Sequence, residues 1–466
     1  MIKYDKYKPS NIEWIGEIPE YWEETLLKYT LDDIICGGTP STNNSNYWAT
    51  DNNGIPWVSI ADITESSGNL YKTGRKITID GLKSKNLKII PKETLLISIF
   101  ASLGKTTTLK INASVNQAIL GLVAYRKLNK EFLKFYLNYI EYFIGYYSSS
   151  NTQENLNLNK IKNLPIVIPP KPEQTAIANY LDRKTAEIDE LISQKQQLLK
   201  LYEEEKTAII NQAVTKGIYD NKDGDGGKDA RQCVFTSNPH SSTQSRVSYK
   251  DSGIDWLGKI PEHWELKKIK HLCYVKGRVG WKGLKSSEFL QEGYSYLVTG
   301  TDFKTSRINW KNCYHIDKGR YEEDPYIQLE NRDLLITKDG TIGKLAIVEN
   351  LDKPACLNSG IFVVRSLLKT FSTEYLYCIL DSNIFKKFNS YTSYGSTIQH
   401  LYQNVFVEFA FGVPCIEEQT QIVQHIETET ALINTKAEKT KKLIDLLKEY
   451  KTALISEVVT GKVKVI

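Results

Sequence analysis

Two short stretches place a lysine beside a glycine at the end of an apolar run, Ser102-Leu103-Gly104-Lys105 and Thr341-Ile342-Gly343-Lys344. A lysine at such a turn suits phosphate, because an ammonium offers an anion both charge and hydrogen-bond donors. A nucleotide-cradling loop demands more, namely another glycine five residues before the one beside the lysine. That position holds Ile99 in the first stretch and Lys338 in the second, and Lys344 is followed by Leu345. The spacing therefore predicts strand-to-strand turns rather than P-loops, with Lys105, Lys344 and Lys338 as candidate phosphate contacts. A third basic stretch runs from Lys276 to Lys285 and interleaves cations with glycines around one indole, Trp281. Charge attracts phosphates whatever the base sequence, and neighbouring polar or aromatic groups can read base edges. Lys276, Arg278, Trp281, Lys282 and Lys285 are its candidates for DNA contact, a flexible surface loop being the other reading. Earlier in the chain the dissimilar run Gly37-Gly38-Thr39-Pro40-Ser41-Thr42-Asn43-Asn44-Ser45 contributes Thr39 and Ser41.

Residues that would carry catalysis do not gather. The six histidines show no metal-ligand spacing, and the seven cysteines are scattered without a Cys-x-x-Cys pair. Neither Asp-Pro-Pro-Tyr nor Asn-Pro-Pro-Tyr, the pocket with which an amino-methyltransferase grips an extruded base, occurs, and no strand-linked Gly-x-Gly loop does either. Carboxylates are plentiful but nothing pairs them at a site, so the expectation is no catalytic residue, no metal and no cofactor in this chain. The scattered cysteines favour a reducing compartment. With no apolar signal core at the start and nowhere 18 consecutive apolar residues, the expected location is the cytoplasm, with no membrane partner. A hydrophobic content of 41% with 25% charged residues is that of a folded chain, and a net charge of +5 permits an anionic partner without requiring one.

The elements that must position these candidates occur twice. Residues 12–23 and 254–265 match at eight of twelve positions at an offset of 242, and each copy sets two tryptophans around a Gly-x-Ile-Pro turn. Trp14 and Trp22, like Trp256 and Trp264, are read as an aromatic plug seating the start of each half on its own core, with stacking on bases as the alternative. After each plug, β-branched and aromatic runs broken by Gly, Asn and Asp predict a mixed α/β domain with an antiparallel sheet. At an offset of 245, Glu173-Gln174-Thr175 matches Glu418-Gln419-Thr420 and opens a helical pattern that runs to Thr215 or Thr460. The offset is a multiple of seven, so both copies share one heptad register. About 40 residues at ~1.5 Å each make a rod of roughly 60 Å, longer than a compact domain needs. The predicted seam is Ile177, Leu181, Ile188, Leu198, Tyr202 and Ile209 in the first helix and Ile422, Ile426, Ile433, Leu443, Leu447 and Leu454 in the second. Lys195 with Thr440, and Lys184 with Glu429, are expected as matched polar interruptions that fix register. The Gly-, Asp-, Ser- and Asn-rich stretch from Gly217 to about Ser248 reads as a flexible linker.

The order of plug, variable domain, Glu-Gln-Thr helix and linker, then the same again, resembles the DNA-specificity subunit of type I restriction-modification systems. The carrying residues are Trp14-Ile15-Gly16-Glu17-Ile18-Pro19 with Trp256-Leu257-Gly258-Lys259-Ile260-Pro261, the two Gly-Lys turns, and the paired Glu-Gln-Thr triplets. The resemblance implies an α+β chain in pseudo-two-fold tandem repeat. Two target-recognition domains, at 1–165 and 251–412, would be separated by spacer helices at 166–216 and 413–466 that form an antiparallel coiled coil, with the linker at 217–250. It further implies a non-catalytic subunit in which each domain reads one half of a split double-stranded DNA target. The helices would set the spacer and dock two methyltransferase (modification) subunits. S-adenosylmethionine, ATP and Mg would be held by partner chains, including restriction/translocase subunits. Two other readings stay open on the residues alone, a self-contained DNA methyltransferase or restriction enzyme, and a coiled-coil scaffold without a DNA role.

Overall fold

A computed structural model describes the chain apart from residues 1, 51–52, 67, 101–102, 126, 142–155, 219–246, 279–282, 305, 393–399 and 466. Most of the expected linker, and the candidates Trp281 and Lys282, lie outside the described residues. The chain forms two compact units, one of residues 1–196 with 441–466 and one of residues 197–440. Each long helix therefore begins in the unit whose domain precedes it and ends in the other.

In the first unit a five-stranded sheet runs in the order Leu31–Cys36, Ile119–Tyr125, Leu95–Ser98, Thr106–Leu109, Asn69–Leu70. The second unit repeats it with Cys273–Gly277, Ile361–Ser366, Leu334–Thr337 and Leu345–Ile347, followed by two short strands, Arg307–Ile308 and Phe303–Lys304. A smaller sheet in the first unit joins Ser114–Val115, Ile55–Val58, Arg75–Ile77 and Trp48–Ala49. Its counterpart joins Ala355–Leu357, Ser295–Val298 and Tyr314–Ile316. The expectation of antiparallel sheets needs correction, because Thr108–Leu109 lies parallel to Asn69–Leu70 and Ser114–Val115 parallel to Trp57–Val58. Long connections separate these strands in sequence, which is what a parallel crossover needs.

The strands Leu95–Ser98 and Leu334–Thr337 are buried at every residue, which is why they read as continuous apolar runs. Leu95 and Ile97 join the core under the helix Lys130–Glu141, which supplies Phe132, Leu133 and Tyr136, while Leu96 points to the other face with Val58 and Ile90. The same alternation puts Leu334 and Ile336 on one side of the second sheet and Leu335 on the other.

The long helices span Lys171–Lys216 and Ile416–Val459, and their first turns lock to the domains they follow. Glu173, 5% exposed, accepts from Tyr4 Oη at 2.5 Å and Tyr21 Oη at 3.1 Å. Its twin Glu418 accepts from Trp264 Nε1 at 3.0 Å and meets His263 Nε2 at 2.9 Å. Fully buried Gln174 donates to the carbonyls of Pro169 (2.8 Å) and Lys127 (3.0 Å) and accepts from the Asn129 amide (2.7 Å). Gln419 repeats all three bonds with Pro414, Thr370 and Ser372. The tryptophans behave as plugs: Trp22 and Trp264 are both 0% exposed. The far helix ends cap against these plugs. Lys462 donates to the Glu17 carbonyl, and Lys216 to that of Lys259, the matching residue of the other repeat.

Within each unit the two helices run antiparallel. Lys451 bridges to Asp189 at 2.7 Å in the first unit, and Lys206 to Asn434 at 3.4 Å in the second. Lys206 and Lys451 are twins at the 245 offset, as are Asp189 and Asn434, so one register holds in both places. Leu181, Ile188, Ile426, Ile433 and Leu454 are buried, and Tyr202, Ile209 and Leu447 half-buried. Leu443 departs from the expected seam at 40% exposed, and its twin Leu198 is half-buried. Val423, Ala437 and Ile444, one residue on, form the buried series. Ile177 and Ile422 are 0% exposed, Ile177 in one core cluster with Leu181 and Ile188 and Ile422 in another with Ile426. Thr185 is 8% exposed, while its neighbour Lys184, expected as a polar interruption, is half-buried with its ammonium 2.7 Å from Glu187.

Candidate nucleic-acid interface

Strand register decides where the candidate residues go. Cys36 pairs with Leu120, Ile119 with Ser98, and Thr106 with Ile97. The loop after Cys36, the approach to Ile119 and the Gly-Lys hairpin therefore leave the sheet at one end. In the second unit Gly277 pairs with Phe362, Thr337 with Ile361, and Ile336 with Leu345, so the corresponding loops again share an end. Thr39, Ser41 and Lys105 are thus gathered in one unit, and Lys276, Arg278, Lys338 and Lys344 in the other. Lys127 and Asn129, which hold Gln174, follow the strand Ile119–Tyr125 and so lie at the opposite end from these loops.

Both Gly-Lys stretches are hairpin turns. Gly104 donates to the Ser98 carbonyl and Gly343 to that of Thr337, at 3.0 and 2.9 Å, and both glycines have φ near +80° (75° and 83°). A strand follows each lysine, whereas a phosphate cradle needs a helix N-terminus there. Lys344 is exposed and Lys105 half-buried; the Lys338 ammonium lies 5.0 Å from the ring centre of Phe362.

The loop after Cys36 is pinned down. A Cβ on Gly37 would lie 2.0 Å from the Asn116 carbonyl oxygen, and the Gly38 amide donates to the Val115 carbonyl at 2.9 Å. Trp57 Nε1 donates to the Gly38 carbonyl at 3.0 Å and Trp48 Nε1 to that of Ser41 at 3.1 Å. Thr39 donates its hydroxyl proton to the Gln117 side chain, and Ser41 is exposed.

Arg278 does not sit as the sequence suggests. It is 2% exposed, with Nε donating to the Leu357 carbonyl at 2.9 Å and Nη2 to Cys356 Sγ at 3.4 Å. Leu357 corresponds to Val115, so Arg278 anchors its loop on the same strand carbonyl that Gly38 holds in the first unit. Two loops with no sequence likeness share an anchor, and Arg278 is a positioning group rather than an outward cation. Lys276 and Lys285 are exposed.

The sequence reading missed Trp48 and Arg75. The Arg75 guanidinium lies over the Trp48 ring at 5.2 Å, and Trp48 meets Trp57 edge-on at 5.1 Å. Thr42, Ser45, Thr73 and Lys76 line an open depression around them. Two tryptophans nine residues apart beyond an Asn/Ser-rich loop were the available signal. Among the described residues no group of three His, Cys, Asp or Glu side chains could hold a metal, and no helix is long and apolar enough to cross a membrane.

The fold and these loop clusters define a duplicated recognition module joined by antiparallel helices. The model for the type I restriction modification DNA specificity domain matches residues 22–201 and again 261–445, and the chain belongs to that family as a non-catalytic DNA specificity subunit. It is 27% identical to a putative type I restriction enzyme MjaX specificity subunit of Methanocaldococcus jannaschii over 98% of both chains. It is also 20% identical to the EcoBI specificity subunit of Escherichia coli, over 90% of this chain and 81% of that one. Among solved structures, a chain from a study of type I complex assembly and conformational transition covers 96% of this chain and 99% of its own at a TM-score of 0.64 and 14% identity. The HsdS subunit of Thermoanaerobacter tengcongensis matches at 0.56 and 15% identity, over 96% and 98%.

Proposed function

We propose that each unit reads one half of a split double-stranded DNA target with the loop end of its sheets, and that the two long helices set the number of unread base pairs between the halves. The single observation that carries this is the register that gathers unlike loops at equivalent ends of two like scaffolds. Such an arrangement suits one task performed on two targets. In the first unit Thr39, Ser41 and Lys105 would face DNA; in the second Lys276, Lys285, Lys338 and Lys344, with Trp281 and Lys282 from the same loop. The domains would run 1–165 and 251–412, with spacers at 166–216 and 413–466 and the linker at 217–250.

Two modification subunits would dock on the outer faces of the helices. Leu201 and Leu446, twins at the 245 offset, are 56% and 59% exposed there, among charged neighbours that include Lys200, Glu203 and Glu204. Those partners would hold S-adenosylmethionine, and restriction/translocase subunits ATP and Mg. The test is to shorten both helices by one heptad in the assembled methyltransferase. Seven residues remove about 10 Å, or about three base pairs. A methylated motif whose gap contracts supports the spacer role, and an unchanged gap removes it. Methyl transfer by the purified chain alone would overturn the division of labour.

A further inference from the structure

The strand registers expose an equivalence that the sequences hide. Arg75 pairs with Trp57 in the first unit, and Tyr314 pairs with Leu297 in the second. Trp57 lies beside Ser114, as Leu297 does beside Cys356, so Trp57 and Leu297 are the same position and Arg75 and Tyr314 are another. On the next strand Ala49 opposes Lys76, and Leu290 bridges to His315, which makes Trp48 and Phe289 equivalent as well. Each unit therefore carries a two-residue platform at one place. In the first, the Arg75 guanidinium lies 5.2 Å over Trp48; in the second, Tyr314 and Phe289 meet ring to ring at 5.3 Å. Arg75 is exposed and Tyr314 is 39% exposed, so both offer an edge outward. Both platforms adjoin the reading loops: Trp48 holds Ser41, and Phe289 closes the turn that begins at Lys285.

We infer that this platform is a specificity-determining position, at which Arg75 reads a guanine edge in the half-site of the first unit, while the Phe289–Tyr314 pair makes an uncharged contact in the half-site of the second. This rests on the two-reader function proposed above. A phosphate contact serves both halves alike and carries no sequence information, so a purely positioning site would keep its charge in both. Here the scaffold is kept and the charge is not. A guanidinium laid on an indole also has its planar donor fork pre-oriented, which suits the paired acceptors O6 and N7 of guanine.

The assembled methyltransferase, containing wild-type chain, Arg75→Ala or Arg75→Lys, is given a plasmid library with randomised half-sites, and methylated adenines are mapped. The wild-type arm tests the underlying reading by itself, since a two-reader subunit must yield a bipartite motif. The inference expects both variants to keep that motif but to relax one guanine position in one half-site, with discrimination there falling roughly ten- to hundredfold. The lysine variant keeps the charge but loses the fork, so it should not rescue discrimination. Full discrimination in Arg75→Lys, a uniform loss at all sequences that grows with salt, or an unchanged motif in Arg75→Ala would each overturn the inference.

Discussion

Gln174→Ala and Gln419→Ala should weaken the protein by the same amount, although they stand in different units. Each glutamine is 0% exposed and makes three hydrogen bonds, of 2.7–3.0 Å and 2.8–3.0 Å respectively. Truncation leaves the half-buried amide of Asn129 or Ser372 without its partner, at about 1–3 kcal/mol. The two carbonyls it abandons add less, because each has a second lone pair, and the total is about 2–4 kcal/mol. For units of roughly 200 residues that is a fall of about 5–10 °C in the Tm. Calorimetry of the whole chain gives the size of the effect. Hydrogen exchange at Asn129 or Ser372 and in the first helical turn gives its place, and protection should fall only at the junction carrying the substitution. Losses below about 1 kcal/mol in both variants, or a loss in one and not in the other, would refute the view that the glutamine locks helix to domain.

Gly461→Ala should cost about 2 kcal/mol or more, because φ is +74° and the new Cβ would lie 2.4 Å from Pro19 Cδ; Gly258→Ala, at φ +66° with nothing within 4 Å, should cost about half that in urea titrations. Ile433→Ala, removing a side chain 3% exposed, should destabilise by about 2–5 kcal/mol, whereas Leu443→Ala, at 40% exposed, should stay below about 1 kcal/mol. Equal losses would return Leu443 to the seam. Glu93, held by Lys130 and Lys110, and Glu408, held by Lys268 and Lys270, have carboxyl pKa values lowered to about 2 from an ordinary 4.5. Because the folded values are depressed, their contribution is present above about pH 4.5 and is lost as pH falls toward 2. Carboxyl carbon NMR should find both titrating near pH 2, and Glu93→Gln should flatten the acid limb of stability.

The duplication was plain in the sequence because identical tryptophans and Glu-Gln-Thr triplets recur in one order. Helix pairing was plain because heptad spacing survives wherever side chains must interdigitate. Which of two adjacent apolar residues faces inward was not, since Leu443-Ile444 fits the pattern either way and a straight helix drifts against a strict heptad. The triplets themselves were read only as the openings of helices. Much of their work is long-range: the glutamines bond backbone groups 45–49 residues away and the glutamates bond side chains 152–169 residues away, and no local pattern reports it. Arg278 was misplaced for a related reason, because a cation among glycines looks exposed until the carbonyl that holds it is seen. Arg75 and Tyr314 share no chemistry, so only strand pairing reveals that they occupy one position.

The most direct test of the central claim is to exchange residues 27–160 for the corresponding domain of another family member and to map methylated adenines in the host. One half of the motif should change, and the other half and the gap between them should stay as they were. If both halves change together, or neither does, the two units do not read DNA independently and the account fails.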